Sequence, residues 1–369
     1  MKKVLIITHD FLPQLGGAQV VAYDYANLLL SLGYDVTVMS KAYPNPIQNT
    51  PFHYIQVPNR FGKYLWLLNF GCFFKSFSFD IYDCIFLNQY PDTTVAGKFF
   101  DEKTLKKSIP IIQGLDVEGI YKNKKIINNL FHLFLRLKHC HRRAIKFSRK
   151  VVSVSEFHKW KVLRAAGMEF YADKFQVIHT GINRTVFHPV FSDFKQKMGW
   201  ENKELLVTVS RIEKMKGFVE MLEVFAKLVS HNDAYQWLII GDGLFLKELR
   251  QLIAEKGLSD KIYLLGAKKR EELKYYYSAA DCFWLLSNYD ECLPLVYLEA
   301  QSCGIPVIGR NKGGVVETIN HGKTGFLVNN EAECLDILLN KKYKVINTND
   351  LNTFVGEFDR IEATKALIS

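Results

Sequence analysis

The stretch NYDECLPLVYLEAQSCGIPVIG, Asn288 to Gly309, carries a helix signal and a strand signal back to back. Pro294 predicts the first turn of a helix, because its missing N–H has no helical partner to lose there. The N–H groups of Leu295 and Val296 are then free to face an anion, and the helix dipole favours one. Glu291 precedes this helix mouth, and Glu299 lies about a turn and a half into the helix. The arrangement suits a diphosphate at the mouth and polyol hydroxyls on the two glutamates. Two glutamates at this spacing, or a helix opening on proline, also occur where nothing binds. The weight of the reading therefore rests on what surrounds them.

Outward from this stretch, short apolar runs alternate with amphipathic ones. Val4–Thr8, Val36–Ser40, Cys84–Leu87, Ile109–Ile112 and Val151–Val154 read as strands with helical patterns between them. After a polar connection near 182–203 the rhythm restarts with Leu205–Val209, Trp237–Ile240, Ile262–Leu265, Phe283–Leu286 and Pro306–Ile308. Continuous apolar strands joined by helices indicate parallel sheets buried on both faces. Two such series predict an α/β protein of two Rossmann-like, doubly wound domains, with ligands beyond the carboxyl ends of the strands in a central cleft. The expected boundaries are 1–182, 183–346 and a polar segment 347–369 packing back on the N-terminal domain.

With 369 residues the chain is long enough for two cores, and 48% hydrophobic with 23% charged residues is ordinary for a globular protein. The opening MKKVLIITHD has an apolar run too short for a signal-peptide core, and Tyr64–Phe74 is interrupted by Asn69 well short of a membrane span. The expectation is a cytoplasmic protein, peripheral at the inner face of the membrane. Seven cysteines without a Cys-x-x-Cys pair suggest neither a disulfide framework nor a structural zinc site. Lys138-His139-Cys140-His141 has a metal-like composition, but neighbouring residues on a helix point in different directions.

Charge is unevenly placed. Residues 1–180 carry 24 Lys+Arg against 13 Asp+Glu, and the remainder 24 against 25. Within 103–164 the ratio is 16 to 3, interleaved with aromatic and aliphatic residues. A solvated helix face accounts for many such runs; a patch this lopsided also fits an anionic membrane surface. No helix-turn-helix, zinc-finger or RNP-type signature accompanies it, so nucleic acid is not the expected partner.

Further motifs follow strand ends. Gln14-Leu15-Gly16-Gly17-Ala18 opens a helix reaching about Leu32, and its glycines allow backbone to approach a ligand closely. In Ser210-Arg211-Ile212-Glu213-Lys214-Met215-Lys216-Gly217, the two cations Arg211 and Lys216 suit a diphosphate, each charge-assisted contact contributing roughly 1.5–3 kcal/mol. Gly241-Asp242-Gly243 and Gly313-Gly314, the latter followed by Glu317, read as turns that need glycine for backbone reasons.

In order, these pieces resemble the GT4 family of retaining glycosyltransferases, which have the GT-B fold. The resemblance covers roughly residues 1–330. It is most specific over 205–330, through Arg211/Lys216, Gly241-Asp242-Gly243, Glu291-x7-Glu299, Gly304-Ile305-Pro306-Val307, Gly313-Gly314, Glu317 and Gly325. It implies transfer of a sugar from a nucleotide-diphosphate donor to a glycan or lipid-linked acceptor with retention at the anomeric carbon. Arg211 and Lys216 would neutralise the leaving diphosphate, aided by the amides of Leu295 and Val296. Glu299 would hold the ribose and Glu291 the transferred sugar. Gly16 and Gly17 would lie near diphosphate and acceptor, and Gly266 and Ala267 would border the base. No Asp-x-Asp triplet occurs, so no metal and no other cofactor is expected. Where many members have His, this chain has Gln113, in Gln113-Gly114-Leu115-Asp116; glutamine can hydrogen-bond a sugar hydroxyl but cannot relay a proton. A sugar-nucleotide epimerase on the same fold, or a GT-B binding subunit without activity, is the alternative reading.

Overall fold

The computed structural model describes residues 1–14, 16–61, 66–114, 121 and 136–369. They form two compact units, Met1–Thr180 with Ile361–Ser369, and Gly181–Arg360. Of the segment 347–369, residues 347–360 stay with the second unit. The helix Thr348–Gly356 packs there, with Val355 and Phe358 in an apolar cluster with Ile182 and Leu298.

The first unit holds β1 (Lys3–Ile7), β2 (Asp35–Lys41), β3 (His53–Val57), β4 (Cys84–Leu87), β5 (Ser108–Ile112), β6 (Val151–Ser153) and β7 (Phe175–Val177). Their order in the sheet is β3-β2-β1-β4-β5-β6-β7. The second unit holds β8 (Glu204–Val209), β9 (Tyr235–Ile240), β10 (Ile262–Leu264), β11 (Cys282–Leu285), β12 (Val307–Arg310) and β13 (Gly325–Val328), in the order β10-β9-β8-β11-β12-β13. The pairings are parallel in both sheets, with Val4 opposite both Val36 and Cys84, and Leu206 opposite both Trp237 and Cys282. Each sheet therefore reverses its winding direction once, between β1 and β4 and between β8 and β11. Loops leaving the carboxyl ends of those strands splay apart, which makes the reversal the natural place for a ligand.

The strands read from the sequence are all present, their ends shifted by a residue or two. Three more, β3, β7 and β13, were not anticipated. All three are edge strands with mixed burial, whereas β8, β9 and β11 are buried throughout.

Packing of the second core is anchored by Trp237 and Trp284, whose rings lie 4.7 Å apart. A buried indole N–H gains from a partner, which Trp237 has and Trp284 lacks among the described residues. Trp237 Nε1 donates to Thr208 Oγ1 at 3.0 Å, and that hydroxyl donates onward to Trp284 O at 2.7 Å.

The chain passes between units at 180–181 and 360–361, and within the second unit these ends are clasped. The buried Arg360 guanidinium donates to Gly181 O through Nη2 at 2.6 Å and Nε at 3.1 Å. The closing helix, Arg360–Ile368, presents its last carbonyls to cations of the first unit, Lys150 Nζ donating to Ala366 O at 2.8 Å and Arg149 Nη2 to Ser369 O at 2.7 Å. Among the described residues no helix is long and apolar enough to cross a membrane.

Candidate active site

In the second unit, the loops after β8 and β11 meet at the reversal of the sheet. Their closeness is written into glycine: a Cβ on Gly217, which has φ +78°, would lie 1.9 Å from Leu286 O. Gly314 is held as tightly, its imagined Cβ 2.0 Å from Cys292 O, and its N–H donates to Glu291 O at 2.8 Å. Asn288 N donates to Met215 O at 2.9 Å, completing a backbone-to-backbone lock between the two loops. These glycines serve loop packing, as the turns around Gly241 and Gly313 were read.

That lock sets Lys216 beside Glu291. Lys216 Nζ donates to Glu291 Oε1 at 2.6 Å, and each side chain is only 12% exposed. Ser287 Oγ donates to the same oxygen at 2.9 Å and accepts from Tyr289 N at 3.2 Å. The ammonium also lies 5.7 Å from the centre of the Tyr289 ring. Glu291 Oε1 thus takes two donors while its geminal oxygen takes none from the described residues.

Arg211 is placed differently. Its Nη1 donates to Glu213 Oε1 at 2.7 Å, with the side chain 74% exposed. It lines, with Ser210, Gly241, Ala267 and Lys268, an open cavity of about 260 Å³ at the carboxyl ends of β8 and β9. Gly266 adjoins this cavity, with φ +69° and its carbonyl accepting from Gly241 N at 3.0 Å. Lys216 with Glu291, and Arg211 with Ala267, are therefore two separate groupings within one unit.

The helix expected after Pro294 runs Leu295–Ser302, with Pro294 as its N-cap rather than its first helical residue. Pro294 has ψ 99°, so its own backbone is extended and helical geometry begins one residue later. Leu295 and Val296 remain the first amides, which have no intrahelical acceptor. Glu299 is buried, and Tyr277 Oη donates to its Oε2 at 3.4 Å. Burial pushes its carboxyl above the usual range, against the opposing pull of Arg270 and the Tyr277 hydroxyl.

In the first unit, Gly16 is the N-cap of the helix Gly17–Ser31, with extended backbone at φ −175°, and a Cβ on Gly17 would meet no atom within 4 Å. Gln113 follows β5 and donates through Nε2 to Asn88 Oδ1 at 2.6 Å and more weakly to Asn88 O at 3.3 Å. Asn88, wholly buried after β4, donates in turn to Ala18 O at 3.0 Å and Thr8 Oγ1 at 3.2 Å. The Gly16-Gly17 loop and Gln113 are thereby joined across the first sheet's reversal. Leu115 and Asp116 lie outside the described residues, as do Lys122, Lys124 and Lys125 of the basic stretch.

Residue reading missed Ser287, Asn88 and Thr8. The only signal each offers is its place just past the end of a central strand. In the same unit His9 is half-buried and His141 wholly buried, and burial pulls both imidazoles down to about 4. Tyr121 Oη lies 2.9 Å from His141 Nδ1, and Lys138 and His139 turn outward from the same helix. Among the described residues no group of three or more His, Cys, Asp or Glu is placed to hold a metal ion.

Comparison with known proteins covers both units. The family described as Glycosyl transferases group 1 matches residues 190–344, and Glycosyltransferase Family 4 matches residues 15–186. N-acetyl-alpha-D-glucosaminyl L-malate synthase of Bacillus anthracis is 34% identical over 145 residues, 39% of this chain and 37% of its own length. A GDP-mannose-dependent phosphatidylinositol monomannoside mannosyltransferase of Mycobacterium tuberculosis is 27% identical over 187 residues, 48% of each chain. The matches thus span less than half the length of these curated relatives. Among solved structures, Anabaena HepE in complex with UDP superposes with a TM-score of 0.78 at 20% identity, covering 100% of this chain and 98% of that one. Sucrose-phosphate synthase of Thermosynechococcus elongatus does so with a TM-score of 0.79, also at 20% identity, covering 99% and 97%. With the GT-B fold matched along its whole length and each unit matched by its own half of the family pattern, the chain belongs to the GT4 glycosyltransferases.

Proposed function

We propose that the protein is a retaining glycosyltransferase that moves a hexose from a nucleotide-diphosphate donor to a glycan or lipid-linked acceptor at a membrane face, in the synthesis of cell-surface polysaccharide. The observation that carries this is the Lys216–Glu291–Ser287 cluster at the reversal of the second sheet. Lys216 spends one N–H on Glu291 and has two more for a departing diphosphate. Glu291, with Oε1 occupied, offers its other oxygen to a sugar hydroxyl. The amides of Leu295 and Val296 and the exposed Arg211 add positive potential where negative charge develops as the anomeric bond breaks. In this reading cations and a helix mouth carry the diphosphate, Glu299 takes the ribose, and the base enters the cavity beside Gly266 and Ala267.

The membrane part rests on the helix Leu137–Phe147, whose exposed side chains include Lys138, His139, Arg142 and Lys146. An anionic surface is the partner that such a face fits. Charge reversal of Lys138 and Lys146 should reduce partition onto acidic liposomes; unchanged partition would remove the membrane from the proposal.

The transfer itself is tested by thermal shift with UDP, GDP, UDP-glucose and GDP-mannose, since ligands of the native state raise the melting point by mass action. The donor so identified is then used to follow nucleotide release and, by NMR, the anomeric configuration of the product. Lys216→Ala should lower turnover by roughly a hundredfold or more. Wild-type turnover in that variant would refute the site, and an inverted product would refute retention.

A further inference from the structure

Gln113 was read as a residue able to meet a sugar hydroxyl, yet an amide can present either a donor or an acceptor. Its neighbours decide which. Both groups facing Gln113 Nε2, Asn88 Oδ1 at 2.6 Å and Asn88 O at 3.3 Å, are acceptors only. Asn88 cannot reverse its own amide without turning a carbonyl onto Ala18 O, to which Nδ2 donates at 3.0 Å. Thr8 enforces the same sense: its hydroxyl donates to Asp10 O at 2.7 Å, leaving a lone pair for Asn88 Nδ2 at 3.2 Å. The run from Gln113 through Asn88 to Thr8 and Ala18 therefore has one direction. Asn88 and Thr8 are wholly buried, so reversing it would strand polar groups away from water. Gln113 itself is half-buried at the end of β5, beside the sheet reversal.

We propose that Asn88 is a positioning residue that fixes Gln113 with its carbonyl turned outward, to accept a hydrogen bond from a sugar hydroxyl. The proposal rests on the transferase reading and deepens it. Such a site takes a group with a hydrogen to give; it offers nothing to a bare phosphate or carboxylate oxygen. The hydroxyl comes either from the sugar being transferred or from the sugar receiving it, and the two sources are separable. Asn88 touches neither substrate. Its effect passes through Gln113 and through the loop it holds at Ala18.

The experiment compares wild type with Asn88→Ala, Gln113→Ala, the double variant and Gln113→Glu. UDP is weighed against UDP-glucose and GDP against GDP-mannose, so that the ratio isolates what the donor sugar adds. KM for transfer to methyl α-D-glucopyranoside and methyl α-D-mannopyranoside isolates the acceptor. Each single alanine variant should weaken one of these two quantities by roughly tenfold, with affinity for the bare nucleotide unchanged, and the double variant should be no worse than either. Gln113→Glu keeps acceptor oxygens but cannot donate to Asn88, and it should lose as much as Gln113→Ala. Because Gln113 is only half-buried, that variant keeps the test open should Asn88→Ala fold poorly. Losses that multiply in the double variant, a wild-type sugar contribution in Gln113→Glu, or a fall in nucleotide affinity alone would each overturn the inference. A wild type that binds neither nucleotides nor nucleotide sugars sinks the transferase reading first, and this inference with it.

Discussion

The two sheets reverse direction in the same way and secure the reversal by different means. In the second unit the loops after β8 and β11 are locked backbone to backbone by Gly217 against Leu286 O and by Asn288 N on Met215 O, and the side chains that cross the gap form an ion pair, Lys216 with Glu291. In the first unit the corresponding loops, after β1 and β4, are joined by uncharged side chains, Asn88 to Thr8 and Ala18. Glycine contacts at about 2 Å from an imagined Cβ tolerate no substitution without backbone movement, whereas an amide bridge tolerates local repacking. A unit that grips a diphosphate needs fixed charges, and fixed charges need a rigid frame. At the first sheet's reversal the groups that join the loops after β1 and β4 are neutral hydrogen-bonding ones, which under the proposed function would suit a polyol.

This contrast is most sharply tested at Gly217. Gly217→Ala places a methyl group against Leu286 O in a left-handed backbone region, and should cost roughly 3 kcal/mol of second-unit stability, read by urea unfolding. A loss below about 1 kcal/mol would mean that the loops part easily and that the lock is not rigid.

Acid should separate the units next. In the first unit the half-buried His9 and the wholly buried His141 are held by desolvation at about 4, below the ordinary 6.5. Folding keeps them neutral while the unfolded chain protonates below 6.5. Their contribution is therefore present above that pH and drains away as pH falls toward 4. Linkage makes the loss about 2 kcal/mol for each by pH 5. Fluorescence of Trp66 and Trp160, with the second-unit tryptophans replaced, should show the first unit weakening between pH 7 and 5; a flat response would place these imidazoles in contact with water.

Glu299 works in the opposite sense. Its carboxyl is raised by burial, so the stability it contributes is present at low pH and is lost as pH rises through its folded value. Glu299→Gln should stabilise the second unit by roughly 1 kcal/mol at pH 8 while weakening nucleotide binding, the trade expected where a buried charge serves a ligand. Destabilisation would show that Arg270 and Tyr277 fully compensate the carboxylate.

The smallest expected change is at Arg211. Its pair with Glu213 is exposed, and such pairs contribute about 0–1 kcal/mol. Arg211→Ala should leave stability within roughly 0.5 kcal/mol yet slow nucleotide release, measured at saturating donor.

What the sequence disclosed follows from the same physics. Central strands such as Trp237–Ile240 and Phe283–Leu286 are covered on both faces, and their unbroken apolar runs were readable. His53–Val57, Phe175–Val177 and Gly325–Val328 sit at sheet edges, where mixed burial weakens the pattern; of the edge strands Ile262–Leu264 alone kept an unbroken apolar run long enough to read. Within the site, Lys216 was legible as a cation beside a glycine in the loop after a strand, and Glu291 as a carboxylate just ahead of a helix opened by Pro294, eight positions before Glu299. Ser287, Thr8 and Asn88 left no such trace, since small polar residues after a strand are what any turn uses. Their roles depend on partners at distant positions, 80 residues apart for Asn88 and Thr8, and no local window contains both.

The closing helix gives the molecule an order of assembly. Residues 181–360 are contiguous and leave the ribosome as a complete set, whereas the first unit waits for 361–369, whose carbonyls accept from Lys150 and Arg149. Vectorial synthesis therefore lets the downstream half mature before the upstream half is finished.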